Sequence, residues 1–309
     1  MLYRLSPLQD AQLVGSNPLS IPLSSTNSGP AQCSGSLTIQ NSGDASGIAN
    51  CLTYSGDITI ATNAPDIRLD GVRRIDGSLS LKGNDQLSSF SGDQLQQIDD
   101  LFEIKNIQLL TTLNFPSLTS ATTVEWEGLP NLQGLSLGAG LTQADTLSIQ
   151  NTGLYNLEGI NLESVDTVII ANNPDLTAIS MQVDRITGSL SLQANGRELA
   201  VDFPNLEIAN NATFRNCSSI GLDSLSAVNG SLGFLANFMD SISAPNHTSV
   251  GGTLGFISNA ALTNISMPQL KSLTGGLLIA NNTNLEEIDG FPKLSSVMGN
   301  VDCTGSFSS

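Results

Sequence analysis

Basic and aromatic side chains are scarce in this sequence. Of its 309 residues only 11 are Lys or Arg, against 28 Asp and Glu, and 5% are aromatic, with one Trp and three Tyr. A net charge of −17 excludes a nucleic-acid binder, which needs clustered cations to neutralise phosphates, and disfavours docking on an anionic membrane. Too few rings are present to build an aromatic platform for sugars, and the lone Trp126 stands where other turns carry Ile or Leu, a core position. The single histidine, His247, lies in Asn246-His247-Thr248 and reads as a surface loop residue rather than a proton-transfer group. No His, Cys and carboxylate cluster has metal-ligand spacing, and no Gly-rich phosphate loop carries a Lys in register, so no metal or cofactor is expected. No apolar run reaches the ~18 residues that a membrane helix needs. Met1–Ser25 lacks a long apolar run behind a basic start, so it does not read as a signal peptide. Helical periodicity is almost missing; the exception is a short helix expected over Asp44–Cys51.

What is present is a phrase, apolar–x–apolar followed shortly by Asn, that returns every 20 to 24 residues. Leu37-Thr38-Ile39 with Asn41, Leu79-Ser80-Leu81 with Asn84 and Leu190-Ser191-Leu192 with Asn195 are examples. Its leading apolar residue falls at 37, 58, 79, 102, 124, 147, 168, 190, 212, 232, 254, 277 and 301. Asn is about nine per cent of the chain, so chance would fill about two of the twelve turns from 37 to 277; eleven are filled. Only the turn at Val124 is not, with Gly128 in place of Asn. Such a period marks a solenoid.

The triplet alternates with period two, so it is a short strand with two residues inward and one outward. Ile58/Ile60, Phe102/Ile104, Val124/Trp126 and Leu254/Phe256 are inward pairs, and the outward residue between them is mostly Ser, Thr or Glu. Strands of the same sense one turn apart pair in parallel at about 4.8 Å, which gives a rod roughly 55–60 Å long. The prediction is an all-β, right-handed parallel β-helix or leucine-rich-repeat-like solenoid of about twelve turns. The Asn of each phrase is expected at a corner, as a ladder of inward carboxamides that bond orphaned backbone groups. A second signal, apolar-Pro-x-Leu, recurs at Phe115-Pro116, Phe203-Pro204, Met267-Pro268 and Phe291-Pro292. There Pro is expected to set an extended entry to a second parallel sheet. Residues 33–303 read as one solenoid, 1–32 as a disordered arm rich in Ser, Pro and Asn, and 304–309 as a cut-off C-terminal end.

Cys33 and Cys51 flank the first turn, and a disulfide there would close a 19-residue loop, worth about 3 kcal/mol in the chain-entropy account. Cys217 and Cys303 are four turns apart, too far to pair. Cys303 occupies an inward position and reads as a buried thiol or as one whose partner lies beyond Ser309. Six Asn-x-Ser/Thr sequons occur, at Asn211, Asn216, Asn229, Asn246, Asn264 and Asn281. Asn216 is also a predicted ladder residue, and burial there would bar a glycan. Two carboxylates on one face are what a β-helical polysaccharide hydrolase or lyase requires. Glu103, Glu125 and Glu127 face outward on adjacent strands, with Glu103 beside Glu125 and Lys105 beside Glu127; Asp99 and Asp100 stand at a turn boundary. A solvated charged patch with one ion pair is the favoured reading of this group. In the C-terminal turns the outward positions become small or apolar, at Gly233, Leu235, Gly255, Ile257, Leu278 and Ala280, and Leu235, Ile257 and Leu278 are the candidate interaction surface.

The paired Cys33 and Cys51, the Gly-Ser-Leu-x-Leu strands, the Asn corners, the Phe-Pro-x-Leu half-turns and the segment Gly299–Phe307 together resemble the fungal GPI-anchored cell-wall-organisation proteins, with the sporulation-specific proteins and receptor L-domain-like repeats among their relatives. The resemblance runs from about Cys33 to Phe307. It implies a secreted, N-glycosylated protein of the plasma-membrane outer face and cell wall, supporting wall integrity without established catalysis. A wall polysaccharide or another wall or membrane protein is the implied partner. The alternatives are a wall-polysaccharide-modifying enzyme and a receptor-like ligand-binding domain. Members of that family begin with a signal peptide and end in a Ser/Thr-rich stalk with a hydrophobic anchor signal. Neither is evident here, so an incomplete gene model or a truncated paralogue is expected.

Overall fold

The computed structural model describes residues 32–305 and 307. The predicted arm at 1–32 lies outside the described residues but for Gln32, as do residues 306, 308 and 309 of the predicted C-terminal segment.

The leading residue of each triplet pairs in parallel with its counterpart one turn on. Leu37 meets Ile58, then Leu79, Phe102, Val124, Leu147, Val168, Leu190, Ala212, Leu232, Leu254, Leu277 and Val301 in unbroken succession. All the predicted strand positions therefore share one register row, and the chain is a parallel β-solenoid. A second row carries Tyr54, Ile75, Ile98 and Ala121 in its N-terminal turns. Its C-terminal turns carry Ala209, Val228, Val250, Leu273 and Val297. In the middle turns both rows lie on one long strand, such as Ser120–Leu129, whose register shifts between Ala121 and Thr123. The two rows thus form a single 20-stranded sheet. A third row closes each turn but is broken into three small sheets, of three, three and two strands.

Inward side chains of the three rows meet in one apolar cluster that runs the length of the solenoid. Aromatic residues stack turn on turn within it. Phe102 packs edge-to-face on Phe115 and Trp126, at 5.3 and 5.7 Å between centroids. Phe214, Phe234 and Phe256 stack nearly parallel at 5.6 and 5.1 Å. Trp126 is buried, as its register predicts, although its indole N–H has no hydrogen-bond partner among the described residues.

The apolar-Pro-x-Leu segments differ from expectation. They are tight turns between the third and second rows, closed by Leu118 N to Phe115 O (3.1 Å), Leu206 N to Phe203 O (3.3 Å), Leu270 N to Met267 O (3.1 Å) and Leu294 N to Phe291 O (3.0 Å). Pro occupies the second place of each turn, where its fixed φ is preorganised and no N–H is needed. Its effect is to bend the chain rather than extend it.

The corner after each first-row strand explains the asparagines, and divides them. In ten consecutive turns the fourth residue after the leading one has a left-handed backbone, with φ between +48° and +68°. It is Gly83, Asn106, Gly128, Asn151, Asn172, Ala194, Asn216, Ala236, Ser258 and Asn281. Gly and Asn tolerate that conformation best, which accounts for seven of the ten. Gly128 therefore fills the same role as Asn106 and Asn151 rather than breaking a ladder. The next residue points inward, and here the true ladder stands. Thr152 N and Oγ1 donate to Asn173 Oδ1 (3.0 and 2.6 Å), and Asn173 N and Nδ2 donate to Asn195 Oδ1 (3.2 and 3.0 Å). Cys217 N donates to Asn237 Oδ1 (2.9 Å), and the pattern continues through Asn259 to Asn282. Each amide also donates back to a carbonyl of the preceding strand, as Asn259 Nδ2 does to Phe234 O at 2.9 Å. Six of the expected asparagines (Asn84, Asn173, Asn195, Asn237, Asn259 and Asn282) are buried. Asn63 is exposed, and Asn41 is not a ladder residue. Ile107 and Leu129 hold the inner corner in the middle turns, where the interior is apolar throughout.

Asn41 caps a helix instead. Its side chain accepts from Gly43 N and Asp44 N at 2.8 and 3.3 Å, so the helix spans Ser42–Gly47 and begins earlier than the expected Asp44. Cys33 and Cys51 form the predicted disulfide, with 5.5 Å between Cα atoms, and close the first turn over the end of the core. At the other end Cys303 pairs with Ile279 and faces inward by register, yet it is exposed, because no described turn follows to cover it. Val301 (59% exposed) and Met298 (77%) share that setting.

If the inner corner is what matters, Asn259→Leu should destabilise by about 3–5 kcal/mol, since Asn237 N–H, Phe234 O and Asn282 Oδ1 all lose a buried partner. Asn63→Leu should change stability by no more than ~0.5 kcal/mol. Denaturant midpoints of the two variants give the comparison.

Candidate functional site

The outward face of the large sheet carries the chemistry in two patches. Towards the N-terminal turns, Ser80, Glu103, Glu125 and Ser148 are successive partners in one row, and Lys82, Lys105 and Glu127 in the row beside it. The expected neighbours Glu103–Glu125 and Lys105–Glu127 are adjacent as read from the sequence. Two of the ion pairs, however, run diagonally between strands and the third lies along one strand. Lys82 Nζ lies 2.8 Å from Glu103 Oε2, and Lys105 Nζ lies 3.1 Å from Glu103 Oε1 and 2.6 Å from Glu125 Oε2. The patch thus has three ion pairs where one was expected, and none of them uses Glu127. Ser80 Oγ also donates to Glu103 Oε2 at 3.0 Å.

Glu103 is only 5% exposed, although it sits on the sheet surface; its own neighbours cover it. Burial alone would raise its pKa, but the hydrogen bonds from Lys82, Lys105 and Ser80 outweigh that and hold it below the ordinary carboxylate value. A general acid for glycoside cleavage needs the opposite shift. Arg74 pairs with Asp99, and Ser78 donates to Asp100 at 3.0 Å, so the adjacent acidic pair is also engaged in surface contacts.

Towards the C-terminal turns the face turns apolar. Thr213, Gly233, Gly255 and Leu278 form one outward row, and Arg215, Leu235, Ile257 and Ala280 the other. A methyl group added at Gly233 would lie 2.9 Å from Leu235 Cδ1, and one at Gly255 3.9 Å from Ile257 Cδ1. Leu235 and Ile257 therefore fold back over the glycines of their own strands. The result is a shallow apolar strip, with Leu235, Ile257 and Leu278 half-buried rather than fully exposed. The structure brings these three predicted residues together.

His247 is the clearest departure from the sequence reading. It is fully buried, not a surface loop residue. The signal for this was present: Ala244-Pro245-Asn246-His247 matches apolar-Pro-x-Leu, with His in the place of Leu. It forms the same turn, with His247 N donating to Ala244 O at 3.2 Å. Neither ring nitrogen has a well-formed hydrogen bond. Burial pushes its pKa down to about 4, offset only in part by the Leu225 backbone. A neutral imidazole sealed in the core reaches no substrate.

Cys217 holds an inner-corner position and is buried, with its pKa pushed up to about 12 by desolvation. Among the described residues no cluster of three or more His, Cys, Asp or Glu is arranged to hold a metal ion, and no helix is long and apolar enough to cross a membrane. Of the sequon asparagines, Asn211, Asn229, Asn246, Asn264 and Asn281 are exposed. Asn216 is half-buried at a left-handed corner, with Nδ2 donating to Ala236 O at 3.3 Å; the ladder position belongs to Cys217 beside it.

Several fungal proteins are similar to this chain. It is 43% identical over 277 residues to a cell surface GPI-anchored protein of Arthroderma benhamiae, a match covering 89% of this chain and 71% of that protein. It is 41% identical over 296 residues to protein ecm33 of Aspergillus fumigatus, covering 88% and 74%. It is 33% identical over 273 residues to sporulation-specific protein 2 of Saccharomyces cerevisiae, covering 87% of this chain and 54% of that protein. No protein-family model matches the chain, and no solved structure does.

Replacing His247 with Leu should restore the ordinary turn. The folded pKa lies near 4, below the ordinary value of 6.5, so the unfolded chain takes up a proton first as pH falls. The native state thereby loses up to about 3 kcal/mol between pH 6.5 and 4. His247→Leu should remove that share of the pH dependence, seen as a flatter profile of unfolding midpoint against pH.

Proposed function

The chain belongs to the family of fungal GPI-anchored cell-surface and cell-wall proteins that includes protein ecm33 and sporulation-specific protein 2, and on that footing we propose that it is a non-catalytic extracellular module that supports cell-wall organisation by holding a wall polymer or another wall or membrane protein. One observation carries the non-catalytic reading. The pair of outward carboxylates best placed for hydrolysis, Glu103 and Glu125, is bridged by a single ammonium group, with Glu103 further held by Lys82. Both acids are committed to ion pairs, and Glu103 is held below the ordinary carboxylate value.

The apolar strip at Leu235, Ile257 and Leu278 supplies the binding surface in this reading. Among the described residues it is the one run of successive turns where Ser, Thr and Glu give way to glycine and aliphatic residues; Ile169 and Ala171 do so in a single turn. The exposed sequon asparagines surround the C-terminal turns without standing in either outward row of the strip. Glycans on Asn211, Asn229, Asn246, Asn264 and Asn281 would leave it open.

Purified protein incubated with β-glucan, chitin or mannan should release no product. In a fungal strain lacking the native protein, Glu103→Gln and Glu125→Gln should restore wall integrity as the unaltered chain does. Leu235→Asp with Ile257→Asp should fold with an unchanged circular-dichroism spectrum and fail to restore it. Turnover that disappears in Glu103→Gln would overturn the non-catalytic reading; full rescue by the double variant would remove the strip from it.

A further inference from the structure

The third row of strands has a gap. Ile67–Arg68, Ser89–Ser91 and Thr112–Asn114 pair in succession, and Ser136 extends them by one bridge to Asn114. The next piece begins only at Ala178–Ser180, which pairs with Ala200–Asp202. The turn between them would bring the neighbourhood of Glu158 into the row. Instead it makes a tight bend, with Ile160 N donating to Leu157 O at 3.0 Å. Gly159 permits it with φ of +87°, and a side chain there would meet Leu137 at 2.8 Å. Two grooves of about 370 and 390 Å³ flank the bend and share Glu158 and Gly159.

The second groove is walled on one side by Ala178 and Ser180. Ala200 N donates to Thr177 O (2.9 Å) and Met181 N to Asp202 O (3.2 Å), so alternate residues of this strand face its neighbour. By that alternation the N–H and C=O of Ala178 and Ser180 point the other way, into the groove. Both residues are exposed, and among the described residues the strand has no partner on that side. Leu157 and Ile160, also on the groove, are buried apolar side chains. Glu158 has no ion-pair partner within reach among the described residues, in a chain whose net charge is −17.

We propose that this groove receives one extended segment of a partner protein, which adds a strand along Ala178–Ser180 and sets a Lys or Arg against Glu158. An edge that offers donor and acceptor from every second residue, about 7 Å apart, is matched by extended polypeptide and not by the hydroxyl pattern of a sugar chain. The free carboxylate selects a basic segment. This site is separate from the apolar strip and does not depend on it.

The test is a ¹⁵N-resolved titration of the full chain with the acetylated, amidated peptide Thr-Val-Lys-Val-Thr. Expected are shifts of the Ala178, Ser180, Glu158 and Gly159 amides. Binding should weaken roughly tenfold or more when alternate peptide nitrogens are methylated, since each removes an edge hydrogen bond. Exchanging the peptide's Lys for Glu should weaken it as well, and Glu158→Lys should reverse that preference. Ser180→Pro removes an N–H that serves no existing pairing, so it should abolish binding without lowering the unfolding temperature. Equal binding of the methylated peptide, absence of shifts at these amides, or the same shifts with a β-glucan oligosaccharide would overturn the proposal; the methylated peptide decides even if Ser180→Pro fails to fold.

Discussion

Every turn of this solenoid must leave its first strand at a corner, and there the regular pairing of backbone groups stops. Only the turns on either side can supply partners. In the ten turns from Leu79 to Leu277 the chain meets this constraint with two adjacent residues of different duty. The first takes a left-handed backbone so that the chain can turn, and the second points inward to bond what the bend leaves unpaired. At Asn195, Asn259 and Asn282 one carboxamide accepts from the preceding turn's N–H and amide and donates to a strand carbonyl, so the backbone of two turns is joined through one side chain. Where the second residue is Ile107 or Leu129, aromatic packing around Phe102, Phe115 and Trp126 fills the same section of the core.

This division has a consequence for function. The interior is occupied end to end by apolar rows and bonded amides, so the groups that would suggest chemistry in isolation, His247 and Cys217, are sealed away. What remains variable is the surface: the outward residue of each strand, and places where a row of strands is interrupted. The ion-paired carboxylates, the apolar strip and the gap beside Ala178–Ser180 are all of this kind. A scaffold whose repeat fixes its core while leaving the faces free confines a functional site to those faces.

Strand positions were legible because period-two alternation and the turn length together leave one register, and a slip of one residue would turn Leu79 and Leu81 to solvent. The disulfide was legible from two cysteines bracketing one turn. The double role of Asn was not, since Asn suits both a left-handed corner and a buried amide; Asn172 and Asn173 stand side by side with one duty each. Nor was the burial of His247 apparent from its composition, which is polar; it became clear only from the turn it completes, where position outweighs residue type. The diagonal path of the ion pairs depends on the reach of Lys82 and Lys105 side chains, which pairing order alone does not specify.

Between Asn173 and Asn282 the ladder is interrupted at one point, and that point tests the central claim. Asn195 should find a carboxamide above it, but Cys217 stands there, and a thiol offers no comparable acceptor. Amide hydrogen exchange in the native protein compares Asn195 directly with Asn173, Asn237 and Asn259, whose N–H groups donate to the next turn's Oδ1. The account predicts slow exchange at those three and exchange at least about tenfold faster at Asn195. Equal protection at all four would show that depth in the core, and not the inner-corner carboxamide, holds successive turns together.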